Sequence, residues 1–393
     1  MVVKQLHIGV LTGRIPYPNG MAATQRIHLM ARAMAEAGAA VNVWVDGLDG
    51  WNESRNPNTL GVKDGIGYEY LLGKTQASEH KMRRVWDRLA IAGASRRRVI
   101  EASKRESLDG LYFYTSNNTP NFERIVINKT KVKKKIPIVF DLCEAPWSMY
   151  SQQSLLEKCI SPLWGVDGVI CISRYLEDWV KQENRRKGYN VRTLYVPILT
   201  DTNEIIPSVL PPFGKRVLFA GSPYYDESLR FLLAAMEVVW EKHTDCELVI
   251  TGGATEVSLQ TAVKRNGNKI RFTGFIERNL LLNEYSAASV LAIPLFDDVQ
   301  SYARFPTKLG EYLSSGRPVV TNQIGEISRF LEDGISACVK PSGDAISFAE
   351  SICLLLGSPK KADLIGHKGR EVAEKHFHFE GYGEKICDFF ASL

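Results

Sequence analysis

Four side chains in the stretch from Ser301 to Thr321 carry groups suited to a phosphorylated ligand: Arg304, Thr307, Lys308 and Glu311. Phe305-Pro306 reads as a helix entry, with Pro306 at the first helical position, where a missing N–H costs nothing and the fixed φ already suits the helix. The first turn then offers unbonded N–H groups at the positive end of the helix, beside Thr307, Lys308 and Arg304, which together make an anion site. Glu311 lies four residues beyond Thr307, about one turn along the same face. Its carboxylate can accept hydrogen bonds from sugar hydroxyls while a diphosphate sits at the helix mouth. A phosphate binder and a ribose binder on one helix describe a nucleotide site. The same spacing also describes an amphipathic helix with a Lys and a Glu on its solvated side.

The elements around this helix repeat in strand-helix order. Ser315-Gly316 ends it and Pro318-Val319-Val320 begins a buried strand. Upstream, a strand from Arg216 runs into Gly221-Ser222-Pro223 and a helix spans about Asp226 to Lys242; further strands follow at Glu247 to Gly253, Ile270 to Ile276 and Val290 to Leu295. This order predicts a Rossmann-like domain. The N-terminal half repeats the scheme. Leu6 to Thr12 is a buried strand, Gly13 to Gly20 a loop of turn residues, Thr24 to Ala37 a helix closed by Gly38, and Val41 to Val45 the next strand. A loop after a first strand lies at the carboxyl edge of an open α/β sheet, where ligands bind. The strand Ile136 to Phe140 leads into Asp141-Leu142-Cys143-Glu144-Ala145-Pro146-Trp147, so Asp141 and Glu144 are expected to emerge at that edge, suited to a hydroxylated substrate or, with a raised pKa, to accepting a proton. A helix cap from Asp141 and a solvated Glu144 is the plainer alternative. Trp164 to Leu176 has strand, cap and helix order, with Ser173 the expected N-cap. The Pro-rich segment from Pro207 to Gly214 separates the halves, giving domains at 1–205 and 206–376, with a closing helix in 377–393.

The run P-T-K-L-G-E-Y-L-S-S-G-R-P-V-V at Pro306 to Val320 resembles the donor-binding segment of retaining family 4 (group 1) glycosyltransferases. P-Y-P-N-G-M-A-A-T-Q-R at Pro16 to Arg26, D-L-C-E-A-P-W at Asp141 to Trp147 and the stretch Trp164 to Leu176 are similar to other segments of that family. The resemblance implies a GT-B fold: two Rossmann-like α/β domains facing across a cleft, with a C-terminal helix returning to the first domain. It implies that Glu311 binds the donor ribose and that the diphosphate is held by the loop and helix start around Arg304, Phe305, Thr307 and Lys308, by Gly221 and Ser222, and by Gly20, with Arg26 a weaker candidate. Gly252 becomes part of the pocket wall, Gly274, Phe275 and Ile276 the strip meeting the base, and Asp141 or Glu144 the acidic residue facing acceptor or donor sugar. Lys308, Glu144 and Asp141 are the catalytic candidates. The family's frequent second Glu, eight residues before Glu311, falls at Ala303. The basic pair that many members carry after the first glycine is replaced by Tyr224, Tyr225 and Asp226, so Arg304 or Lys308 must supply the countercharge.

Composition sets wider bounds. With 393 residues, 45% hydrophobic and 24% charged, the chain is long enough for two domains with cores of their own. Met1 to Val10 reads as a strand, not a signal segment, and no apolar stretch reaches the length of a bilayer span, which implies the cytoplasm. Seven cysteines lack C-x-x-C spacing, so neither a disulfide framework nor a zinc site is expected. Asp297-Asp298 could be read as a metal pair, but adjacent loop carboxylates are usually solvated; no metal and no cofactor are expected. The net charge of +5 is unevenly placed: Lys81 to Glu106 carries nine basic and three acidic residues interrupted by Val85, Trp86, Leu89, Ile91, Val99 and Ile100. One or two basic amphipathic helices there suit either a solvated face or an anionic membrane surface, the inner face of a membrane included. Lys131 to Lys135 adds a second basic knot. No basic-aromatic motif supports nucleic acid as a partner.

The resemblance implies transfer of a sugar from a nucleoside diphosphate-sugar to a hydroxyl of a saccharide or lipid-linked acceptor, with retention, in the synthesis of bacterial surface polysaccharide or glycoconjugate. Two other functions fit parts of the pattern. A nucleotide-sugar epimerase would need more acid and base groups than Asp141 and Glu144. A catalytically idle nucleotide-binding partner subunit is consistent with Ala303.

Overall fold

Val, Ile, Leu and Phe dominate the strand segments and are buried on both faces, the signature of parallel strands covered by helices. The computed structural model describes residues 5–50, 55–105, 108–114, 136–145, 163–205, 207, 214–221, 226–252 and 266–393. The expectations for Ser222, Tyr224, Tyr225, Pro146, Trp147, Lys131 to Lys135 and most of the Pro207 to Gly214 linker lie outside these residues.

The chain divides into two compact units, Met1–Leu199 with Phe379–Leu393, and Thr200–His378. The division falls a few residues before the expected boundary at 205/206, and the second unit ends just past 376. The first unit is built on β1 (His7–Leu11), α1 (Ala22–Glu36), β2 (Ala40–Val45), β3 (Leu60–Lys63), β4 (Ile66–Tyr70), α2 (Lys81–Arg105), β5 (Gly110–Tyr114), β6 (Ile138–Leu142), β7 (Gly168–Cys171), α3 (Arg174–Lys187) and β8 (Arg192–Tyr195). Its eight strands run in the order β3-β4-β2-β1-β5-β6-β7-β8, parallel apart from the β3–β4 hairpin. The hairpin goes beyond the strand-helix order expected of this half; Asp64-Gly65 carries its signal, both residues having positive φ, 46° and 79°, as a type I′ turn requires. The basic segment is one continuous helix. Ser173 caps α3, its hydroxyl accepting from the Leu176 amide at 3.3 Å, and Gly188 closes that helix with φ 69°.

The second unit holds β9 (Arg216–Gly221), α4 (Asp226–Lys242), β10 (Glu247–Gly252), β11 (Ile270–Gly274), α5 (Arg278–Ala287), β12 (Val290–Ile293), α6 (Val299–Ala303), α7 (Thr307–Ser314), β13 (Val319–Asn322), α8 (Ile327–Phe330), β14 (Cys338–Lys340), α9 (Ala345–Gly357) and α10 (Pro359–His376). Its six parallel strands run β11-β10-β9-β12-β13-β14. The chain leaves β9 to one side for β10 and β11, then crosses back to β12. That reversal puts a crevice for ligands outside the carboxyl ends of β9 and β12.

The closing helix α11 (Gly383–Ala391) belongs to the first unit. Ile386, Phe389 and Phe390 are buried in that unit's core, each worth roughly 1.5–3 kcal/mol of transfer free energy. Two glycines admit it. A Cβ on Gly383 would lie 2.1 Å from the Ala33 carbonyl oxygen, and one on Gly110 would lie 2.4 Å from the Phe390 ring.

Candidate nucleotide-sugar site

Helix α7 starts at Thr307, with Pro306 as its N-cap at φ −60° and ψ 108°. The proline therefore precedes the first helical residue expected of it, because ψ at Pro306 is still extended. Phe305 is buried, stacked on Phe330 at 5.5 Å and edge-on to Phe377 at 5.5 Å. Its ring anchors the loop to the core and does not line a ligand site, which corrects the expectation for that side chain.

Two residues of α7, one turn apart, hold a single residue of β9. The Lys308 ammonium donates to the Ala220 carbonyl, and the Tyr312 hydroxyl accepts from the Ala220 amide at 2.8 Å. Gly221, the last residue of β9, follows directly. Lys308 is thus fixed at the carboxyl end of the strand bordering the crevice. Burial pushes its pKa down to about 8, with the Glu311 carboxylate acting in the opposite direction.

Glu311 does not stand alone on a solvated face. Its Oε1 accepts from Arg278 Nη1 at 2.8 Å, and the Tyr285 hydroxyl also bonds to its carboxylate. The same guanidinium grips Glu204 with Nε and Nη2, each at 2.7 Å. Burial disfavours charge on Arg278, but Glu311 and Glu204 outweigh it and raise its pKa. Tyr285 packs edge-on against Tyr312 at 4.8 Å. Glu311 is therefore held in place by neighbours from α5.

The glycines divide by cause. Gly252 has φ 94°, and a Cβ there would lie 2.0 Å from the Gly221 carbonyl oxygen. Only glycine allows the ends of β9 and β10 to close together. Gly274 has φ 65° with open space around it, and Phe275 beside it is exposed. Ile276 lines a concavity of about 390 Å³ with Phe272, Leu280 and Ala287. That concavity lies along the edge strand β11, away from the end of β9. Arg304 is half-buried and is the C-cap of α6. Asp298 caps the start of that helix, accepting from the Ser301 amide at 2.8 Å, and Asp297 bonds the Tyr302 hydroxyl. Both carboxylates of the adjacent pair thus have local work. Among the described residues no cluster of His, Cys, Asp and Glu is arranged to hold a metal ion.

In the first unit, Asp141 does not emerge at the sheet edge. Strand β6 runs on to Leu142, so Asp141 points into the core. It is fully buried, bonded to Arg26 Nε at 2.8 Å and Nη2 at 2.9 Å, and it accepts from the Tyr112 hydroxyl at 2.5 Å. Arg26 also donates to the Val196 and Pro197 carbonyls. Burial opposes its charge but Asp141 raises its pKa. This corrects two expectations together: neither Asp141 as a substrate-facing acid or helix cap nor Arg26 as a phosphate binder is compatible with a buried, mutually satisfied pair. Glu144 lies past the end of β6 and is half-buried.

Gly20 sits in the loop between β1 and α1. A Cβ there would lie 1.9 Å from Thr24 Oγ1, and that hydroxyl donates to the Pro16 carbonyl at 3.0 Å, so the loop's own geometry requires the glycine. The loop is pinned from two sides. The Tyr17 hydroxyl meets His28 Nδ1 at 2.7 Å, whose Nε2 meets Asp64 at 2.9 Å. Asn19 and Asn56 exchange hydrogen bonds at 2.8 and 3.0 Å, and Asn56 is held by Asp49.

Residues 214–358 match the family model described as "Glycosyl transferases group 1". They form a group 1 glycosyl transferase domain. This glycosyl transferase domain contains β9, the whole of α7 and the Arg278–Glu311 pair. Over 169 residues the chain is 30% identical to phosphatidyl-myo-inositol mannosyltransferase of Mycobacterium leprae, a match taking in 42% of this chain and 44% of that protein, so the chain spans less than half the length of that relative. Two solved structures share the fold over nearly their whole length. Sucrose-phosphate synthase of Thermosynechococcus elongatus superposes with a TM-score of 0.75 at 17% identity, covering 99% of each chain. Anabaena HepE, solved in complex with UDP and glucose, superposes with a TM-score of 0.69 at 14% identity over 99% of this chain and 100% of that one. The two parallel-sheet units thus have the GT-B architecture.

Within the glycosyl transferase domain, Ala303 is wholly buried, so the second glutamate seen in many members would have no room here. The residues that position Lys308 and Glu311 were not legible in the sequence. Arg278 and Tyr285 come from α5 and Glu204 from the segment after β8, and no spacing in the chain links these to α7; Tyr312 lies on α7 itself, one turn past Lys308.

Proposed function

We propose that the chain transfers a sugar from a nucleoside diphosphate-sugar to a hydroxyl of a saccharide or lipid-linked acceptor, with retention of configuration, in building surface polysaccharide or glycoconjugate. The observation carrying this is helix α7, which presents Lys308 at the carboxyl end of β9 and an aimed Glu311 one turn away inside a glycosyl transferase domain. The HepE complex with UDP and glucose supports a nucleotide-sugar as donor.

In this mechanism Glu311 accepts hydrogen bonds from the ribose, and the diphosphate lies against Gly221 and the first turn of α7. The bond from the anomeric carbon to the diphosphate oxygen breaks, the acceptor oxygen forms a new bond to that carbon, and its proton passes to the released diphosphate. Charge growing on the leaving group is met by Lys308, Arg304 and the helix N-terminus, already in place before reaction. No metal is needed for this neutralisation. Glu144 is the carboxylate retained for contact with the acceptor. The same proposal sets the chain in the cytoplasm, working at a membrane face.

The test is thermal shift against UDP-, GDP-, ADP- and CMP-sugars, followed by acceptor turnover with the anomeric product read by NMR. A ligand that binds only the folded state raises the melting point. A selective shift that Glu311→Ala abolishes supports the proposal; donor consumption without acceptor, or an inverted product, overturns it.

A further inference from the structure

Helix α2 carries an apolar stripe on the side turned away from its own fold. Ile91, Ala94, Ser95, Val99 and Ala102 face inward and are buried. Arg98 secures that face, pairing with Glu69 and lying 4.7 Å over the Trp44 ring. The first half of the helix is different. Met82, Val85, Trp86 and Leu89 recur three and four residues apart and are 76%, 55%, 68% and 53% exposed. That spacing sets them in one row along the helix.

Charge frames the row. Lys81, Arg83 and Arg88 are exposed, lying to either side of it, and Arg96 and Arg97 continue on the outer surface. The acidic residue of this half, Asp87, is turned inward, where Lys74 pairs with it at 2.7 Å and Ser78 donates to it at 2.9 Å. The outer face is therefore apolar in its middle and cationic at its rims. A tryptophan and aliphatic side chains flanked by arginines match the boundary of a bilayer, acyl chains below and anionic headgroups around. No helix among the described residues is long and apolar enough to cross a membrane, so the contact would be with a surface.

We infer that the outer face of α2 docks on an anionic lipid surface, with Met82, Val85, Trp86 and Leu89 entering the headgroup boundary and Lys81, Arg83 and Arg88 paired with lipid phosphates. This rests on α2 alone and holds or fails independently of the donor site, since its test involves no sugar transfer.

The test is co-sedimentation of the full chain with vesicles of phosphatidylcholine, with or without phosphatidylglycerol. The chain pellets with the anionic vesicles, stays in solution with the neutral ones, and is released by added salt. Arg83→Gln with Arg88→Gln lowers the partition coefficient about thirtyfold; Trp86→Ser with Leu89→Ser lowers it about tenfold or more. All four side chains are exposed, so the melting points of both variants equal that of the wild type. Binding that ignores lipid charge, or that both variants retain, overturns the inference. A dimer in solution that Trp86→Ser with Leu89→Ser dissolves also overturns it, assigning the face to a second copy of the chain.

Discussion

Arg278 donates one N–H to Glu311 at 2.8 Å and two to Glu204 at 2.7 Å, so one guanidinium orients the carboxylate proposed to bind the donor ribose and also ties it to the segment entering the second unit. Glu204 lies three residues after Asp201, beside Thr202, whose carbonyl is held by Arg370 at 3.1 Å. The fork geometry of arginine suits this double task and lysine would not reproduce it.

Arg278→Gln should lower donor-nucleotide affinity about tenfold, the cost of losing one charge-assisted hydrogen bond that orients Glu311. Glu204→Gln leaves the Arg278–Glu311 bond in place and should change affinity by much less. Isothermal titration with the donor identified by thermal shift measures both. Equal losses in the two variants would mean that the network supports the fold and does not aim Glu311.

Lys308 predicts opposite pH trends for stability and binding. The unfolded chain keeps this proton up to the ordinary lysine value of 10.5, whereas the folded chain releases it near 8. The unfolded state therefore binds more protons between those limits, and stability rises with pH across that window. The cost of burying the ammonium is fully present below pH 8 and relieved above it. Donor affinity moves the other way, because the cation that meets the diphosphate is lost as pH rises through 8. Melting points and donor affinity of the wild type, each compared with Lys308→Met from neutral pH to about 10, should show both slopes in the wild type and neither in the variant.

Asp141→Asn should destabilise the first unit by about 3–5 kcal/mol, since it leaves the Arg26 guanidinium buried without its countercharge. Denaturant titration reads this directly. A variant of unchanged stability but lost turnover would restore Asp141 to a catalytic part.

Gly252→Ala should cost about 1–3 kcal/mol, because φ 94° is strained for alanine and its methyl would meet the Gly221 carbonyl. Relief requires the ends of β9 and β10 to part, so donor affinity should fall along with the melting point. Gly274→Ala, with positive φ but open space, should lower stability without that loss of affinity.

Much of the molecule is written locally. The strand-helix alternation, the Ser173 cap, the stop at Gly316 and the placing of Lys308 and Glu311 on one helix follow from periodicity and from residues whose backbone preferences act within a few positions. The Asp64-Gly65 turn is equally local, though the short strands beside it are mostly exposed or half-buried. Tertiary structure decided what each polar group faces. Asp141 reads as an edge residue until β6 is seen to run two residues longer and Arg26, 115 residues away, closes on it. Glu311 reads as a solvated acid until Arg278 and Tyr285 arrive from another helix. Strand ends shift at little local cost, and a buried charge must find its partner wherever in the chain it lies. The sequence by itself therefore determined the fold class and the helix that bears the candidate chemistry. Packing alone determined which of its charges are aimed, which are spent on the core, and which row of apolar side chains on α2 is left outside.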